Sequence, residues 1–198
     1  MLRLLHFLII ACALSLFGPR AKAEPAGELV GAELLREANT ARAAYAEQIT
    51  NTRYMTVIDY RARSHVPRFY LVDLSDMSAK AYLVAHGKGS DPNHDGMADI
   101  FSNIQGSKMT SLGSFLTGPT YVGAHGLSLK LYGLEAQNDM AEDRLIVIHG
   151  ASYVSPTRRV LGRSWGCPAL EPGVAQTIIP LIKDGAFLYV VGTPPLSD

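Results

Sequence analysis

The chain has 198 residues, 47% of them hydrophobic and 18% charged, with 18 Lys and Arg balancing 18 Asp and Glu. This composition suits one globular domain with a sizeable core and excludes a low-complexity or disordered chain. The even charge gives no electrostatic reason to expect nucleic acid or an acidic membrane surface as partner.

Met1 to Ala23 reads as a secretory signal peptide. Arg3 supplies the positive start, Leu4 to Phe17 is an apolar run of 14 residues interrupted only by His6 and Ser15, and Ala21-Lys22-Ala23 is a small-x-small cleavage site. Two alternatives are weaker. A membrane anchor would need a longer run, and lipidation at Cys12, within Ile9-Ile10-Ala11-Cys12, would strand Ala13 to Phe17 beyond a very short signal. The expected product is an exported, periplasmic monomer of about 175 residues starting at Glu24, with no stable membrane insertion after the signal is removed.

Glu28 to Ile49 reads as an amphipathic helix, because Leu29, Ala32, Leu35, Ala38 and Ala41 to Tyr45 recur at helical spacing. Beyond Asn51 the texture is that of strands: Tyr54 to Tyr60, Arg68 to Leu74, and Ala79 to Ala85, with a hairpin turn at Ser75 to Ser78. His86 to Ala98 is a polar, Gly-rich loop. Gly106 to Leu134 carries short β-like pieces separated by Gly and Pro. Arg144 to Ile148 is a dense apolar strand that places His149 at its end. Pro172 to Lys183 reads as a helix with Pro172 in its first turn and Gly185 past its end, and Ala186 to Val191 as a final strand. Without βαβ alternation, the expected fold is mainly β, sandwich or barrel-like, with an N-terminal helix and a short C-terminal helix. The expected divisions are 1–23 (signal), 24–52 (helical segment) and 53–198 (β-rich domain).

The chain has two cysteines, and removal of the signal leaves only Cys167. A lone thiol in an oxidising compartment has no intramolecular disulfide partner, which leaves two readings: a small buried hydrophobe or a reagent. His149 favours the reagent, since one strand can end and a loop return Cys167 opposite it. The turn Ser164-Trp165-Gly166-Cys167 lets the backbone approach a carbonyl closely at Gly166. The N–H groups of Gly166 and Cys167 are the expected oxyanion donors.

His149, fourteen intervening residues and Ser164-Trp165-Gly166-Cys167 resemble the signature of the YkuD-like L,D-transpeptidases, and more closely that of the murein L,D-transpeptidase catalytic-domain family. The blocks Leu83 to Lys88, Phe101 to Asn103, Ser111 to Gly113, Thr120 to Gly126, Ile148 to Ala151 and Gly162 to Ala169 carry the resemblance over roughly Arg53 to Val191. It implies a cysteine acyl-transferase acting on peptidoglycan stem peptides. Cys167 would be the nucleophile and His149 the base, with Ser164 orienting the turn or His149, and no metal or cofactor would be needed. The acceptor would be an amine in transpeptidation or water in an L,D-carboxypeptidase; a catalytically silent wall-binding module is the reading outside enzymes. Trp165 stands where the family usually has His. Pro168-Ala169 replaces a segment that usually carries Arg or Asn.

His125, Tyr121, Trp165 and Gly150 are candidate substrate-binding residues, although a turn histidine and a core tyrosine are the plainer readings of the first two. His86 reads as a polar loop residue. Asp91 to Gly96 resembles the first half of a calcium loop, but Ser102 stands where its bidentate Glu should be, so an Asx/Gly turn is expected. The His and Asp residues show no zinc-ligand spacing.

Overall fold

The computed structural model describes residues 22–193, so all but the last two residues of the expected signal peptide lie outside the described residues. The elements in chain order are β1 (Glu24–Pro25), α1 (Ala26–Leu29), α2 (Ala32–Ala44), β2 (Tyr54–Asp59), β3 (Phe69–Asp73), β4 (Ser78–Tyr82), β5 (Gly113–Gly123), β6 (Gly126–Gly133), β7 (Val147–Gly150), β8 (Ala169–Leu170), α3 (Pro172–Ile182) and β9 (Phe187–Val191). The described strands form one mixed sheet in the order β1-β4-β3-β2-β9-β5-β6-β7-β8. This is the mainly β architecture expected from the sequence.

Central strands β2 and β9 pair in parallel, Met55 opposite Phe187, and are buried on both faces because alternate side chains feed two cores. Met55, Val57 and Phe187 face α1 through Ala26 and α2 through Leu34, Leu35 and Ala38. Ile58, Leu188 and Val190 face the core that takes Ala175, Ile178, Ile179 and Ile182 of α3. Those four α3 residues recur at i, i+3, i+4 and i+7, a stripe that a helix can bury whole. Each such large side chain, fully buried, contributes about 1.5–3 kcal/mol.

Beyond β4, Ala85 exchanges backbone hydrogen bonds with Ala169 of β8, at 2.8 and 3.4 Å. The chain leaving one side of the sheet thereby meets the strand at the other side. The structure is barrel-like at this point, and the closure brings the 85–88 segment against the 164–169 segment.

Three expectations need correction. The helix over Glu28 to Ile49 is broken at Gly31, whose φ of 88° and ψ of 131° lie outside the helical region, and it ends at Ala44. Gly106 to Leu134 contains two long strands rather than short pieces, because Pro119 sits exposed where the register shifts between Thr117 and Thr120. A bulge tolerates a residue without an N–H. The strand expected to start at Arg144 begins only at Val147 and runs to Gly150, with His149 at its end as expected.

Candidate active site

β7 sets the position of His149. Strand alternation puts Ile148 into the core under α3 and turns His149 to the opposite face, where it is 2% exposed. β7 pairs with β8 in parallel, His149 opposite Ala169, and the His149 N–H donates to the Pro168 carbonyl at 3.4 Å. The histidine backbone is thus bonded to the residue immediately after Cys167.

The imidazole is oriented by its own strand. His149 Nδ1 lies 2.9 Å from the Gly150 carbonyl oxygen. A carbonyl only accepts, so Nδ1 carries the proton and Nε2 keeps its lone pair. Antiparallel pairing of β6 with β7 puts Ser128 opposite His149, and the tight β5–β6 turn folds the exposed His125 over it. The two rings stack with centroids 4.4 Å apart and planes at 25°. Burial, reinforced by the neighbouring His125, pushes the His149 imidazole below its ordinary value, against the Gly150 hydrogen bond.

The turn carrying Cys167 is fastened from three sides. Ser164 N–H donates to the His86 carbonyl at 2.9 Å, and Lys88 N–H to the Ser164 carbonyl at 2.8 Å. Ser164 Oγ donates to the Cys167 carbonyl at 2.6 Å and accepts from Gly166 N–H at 3.1 Å. Thr110 Oγ1 accepts from Gly87 N–H at 3.0 Å and donates to the Gly166 carbonyl at 3.4 Å. Gly166 has φ +122°, and a Cβ there would lie 2.7 Å from the Met109 carbonyl oxygen. Only glycine fits that turn.

Ser164 therefore orients the turn and makes no bond to His149. The Gly166 N–H, expected as an oxyanion donor, is held by Ser164 Oγ. The Cys167 N–H has no partner among the described residues and remains available.

The Cys167 thiol is partly buried, and Sγ lies 3.7 Å from the Leu145 carbonyl oxygen. Burial pushes the thiol above its ordinary value, opposed by a hydrogen bond from the Val147 backbone and by the positive charge of Arg144. The segment flanking Cys167 on this side, Leu145, Ile146 and Val147, also lines a cavity of about 320 Å³ with Tyr121, Lys130 and Glu142. Lys130 and Glu142 pair at 3.7 Å on its rim. Trp165 is 72% exposed, and the Lys108 ammonium lies 4.7 Å from its ring centroid, a cation–π contact at the mouth of the turn.

Behind the site lies a buried polar chain that the sequence did not reveal. Arg68 Nη2 donates to His86 Nδ1 at 2.7 Å, so His86 Nε2 carries the hydrogen and donates to Asp91 Oδ2 at 3.1 Å. Burial and the Arg68 charge bring His86 down to about 4, against the attraction of Asp91. Burial raises the Asp91 carboxyl, but His86 and the N–H groups of Gly96 and Asp95 together hold it below its ordinary value. The Asp91 carboxylate is thus spent on its own loop, as an Asx-type turn would have it, and on His86. His86 is the residue whose carbonyl holds Ser164, so this chain anchors the turn that carries Cys167.

The chain belongs to the L,D-transpeptidase catalytic domain family, whose model matches residues 28–191. That span takes in α2 and strands β2 to β9. Similar solved structures include an L,D-transpeptidase from Mycobacterium smegmatis, 13% identical, covering 71% of this chain and 59% of that one, with TM-score 0.45. L,D-transpeptidase 3 from Mycobacterium tuberculosis is 12% identical over 70% of this chain and 61% of that one, with TM-score 0.45. The helical cell shape determining protein from Campylobacter jejuni is 12% identical over 79% of this chain and 56% of that one, with TM-score 0.46. The chain spans less than two thirds of the length of each of these relatives. Comparison with curated proteins gives no match.

Proposed function

We propose that this protein is an exported cysteine acyl-transferase acting on peptidoglycan stem peptides, an L,D-transpeptidase working through a thioester on Cys167. The observation that carries the reading is the His149 tautomer. Its Nδ1–H is fixed on the Gly150 carbonyl, which leaves Nε2 its lone pair, and its backbone is bonded to the residue after the lone thiol, Cys167.

In this reading Nε2 takes the thiol proton as Sγ attacks the carbonyl of the third stem residue. The charge that develops on that oxygen is met by the Cys167 N–H. The tetrahedral intermediate collapses with cleavage of the C–N bond, and the proton held on His149 goes to the leaving amine of the terminal D-alanine. An acceptor amine then attacks the thioester, giving up its proton to His149 and restoring the thiol. The cavity beside Leu145 to Val147 receives the donor's third residue. Its rim pair, Lys130 and Glu142, offers opposite charges to the carboxylate and ammonium at the free end of a diaminopimelate side chain.

The test is product analysis on purified tetrapeptide muropeptides with and without an acceptor peptide. Cross-linked product with acceptor and its loss in Cys167→Ala are expected. Full activity in Cys167→Ala would overturn the reading, and trimmed product alone would reassign it to hydrolysis.

A further inference from the structure

Arg144 has no role in the reading above, yet its charge is unaccounted for. It stands in the turn before β7, with its N–H bonded to the Met140 carbonyl at 2.8 Å. Its guanidinium is half-buried and donates to the Ser102 carbonyl at 2.8 Å, to Ser111 Oγ, to Ser107 Oγ at 3.4 Å and to the Met109 carbonyl. All four acceptors are neutral. The nearby carboxylates are engaged elsewhere, Glu142 with Lys130 and Asp139 with Asn103, and Asp143 is exposed.

A partly desolvated cation with only neutral partners is costly and attracts any anion that forms beside it. Its Nη2 lies 3.3 Å from where a Cβ on Gly166 would stand, so the guanidinium lies against the nucleophile's turn. The next residue, Leu145, gives its carbonyl to Cys167 Sγ at 3.7 Å. Burial lowers the Arg144 guanidinium from its ordinary value, and the charge of Cys167 acts against that.

We propose that Arg144 is the counter-charge for the Cys167 thiolate: a positioning residue that stabilises sulfur's charged form and does not itself touch the reacting carbonyl. This deepens the proposed function, since it rests on Cys167 being the nucleophile. The chain carries Pro168-Ala169 directly after the cysteine, so no cation follows it in sequence. Arg144 brings one from the turn before β7. The other titratable groups that feel Cys167 are Tyr60 and Tyr153, and His149 is bonded through its backbone N–H to Pro168. Neither tyrosine can supply positive charge, and His149 rests neutral.

The test is the pH dependence of Cys167 alkylation by iodoacetamide, read by peptide mass on the full chain, which needs no turnover. Arg144→Gln removes the charge and keeps donor groups. Its alkylation midpoint should rise by about one pH unit, a roughly tenfold loss of thiolate at neutral pH. Arg144→Lys keeps the charge but not the four-bond fork, so its midpoint should stay within a few tenths of the parent's. An unchanged midpoint in Arg144→Gln, or an equal rise in both variants, would overturn the proposal. If neither variant folds, the unaltered protein decides at pH 8. Anionic iodoacetate should gain on neutral iodoacetamide, relative to free cysteine, and lose that gain in high salt; a ratio no higher than that of free cysteine overturns it. Failure of these arms leaves the Cys167→Ala test intact, so the two claims fall separately.

Discussion

Burial drives the two side chains of the proposed dyad in opposite directions, the Cys167 thiol up and the His149 imidazole down. Both shifts leave the proton on sulfur and the imidazole neutral at rest. His149 must be neutral to accept a proton, and its lowered value keeps it so through the neutral range. The acid limb of kcat/KM should therefore fall below pH ~6.5, the ordinary imidazole value; a limb centred above that pH would contradict the role of His149. Cys167 and His149 were legible in the sequence because a lone thiol and a strand-end histidine carry chemistry by residue type. Arg144, Arg68 and Asp91 were not. A single Arg in a β-rich stretch looks the same whether it is solvated or buried, and its partners are brought by the fold: Arg68 finds Val84 and His86 across β3 and β4, and Arg144 finds the 102–111 segment.

In the proposed chemistry the deciding element is the four-residue turn from Ser164 to Cys167. Its tightness depends on two glycines meeting face to face: a Cβ on Gly87 would lie 2.9 Å from the Gly166 Cα. Gly166→Ala should cost about 1–3 kcal/mol through its positive φ, and the clash with the Met109 carbonyl should displace Cys167. The expected result is a small fall in melting temperature with loss of turnover; retained turnover would show that the turn need not be held in this form. Strands β2, β3 and β9 were legible because their apolar runs are short, uninterrupted and bounded by polar residues. β5 was not, since Gly118 and Pro119 read as a break and only pairing with β6 shows that the strand continues through a bulge. The two-residue strand β8 carries no periodicity at all, yet it joins Cys167 to His149. The helix over Glu28 to Ile49 was legible in kind but not in extent, because apolar spacing continues across Gly31 while the backbone does not.

Across the whole molecule, the closure of the sheet between Ala85 and Ala169 brings the buried Arg68–His86–Asp91 chain behind the turn that carries Cys167, so stability and candidate site share one element. His86 takes its proton only near pH 4 in the folded protein, whereas the unfolded chain takes it near pH 6.5. Between those values the unfolded state binds more protons, so stability should fall with falling pH by up to about 3 kcal/mol from this group. The lowered Asp91 carboxyl adds a further loss at more acid pH. Urea midpoints measured from pH 7 to pH 4 check this, and a flat profile would contradict a buried neutral His86. Family membership, the mainly β fold and the closed end of the sheet all bear on one claim, that Cys167 carries the acyl group. Intact mass of the protein after incubation with a tetrapeptide muropeptide, followed by peptide mapping, tests it most directly. The account predicts an adduct of the muropeptide less D-alanine on Cys167, discharged by an acceptor amine and absent in Cys167→Ala. Turnover of the muropeptide with no adduct at Cys167 under rapid acid quench, or with an adduct elsewhere, would contradict it.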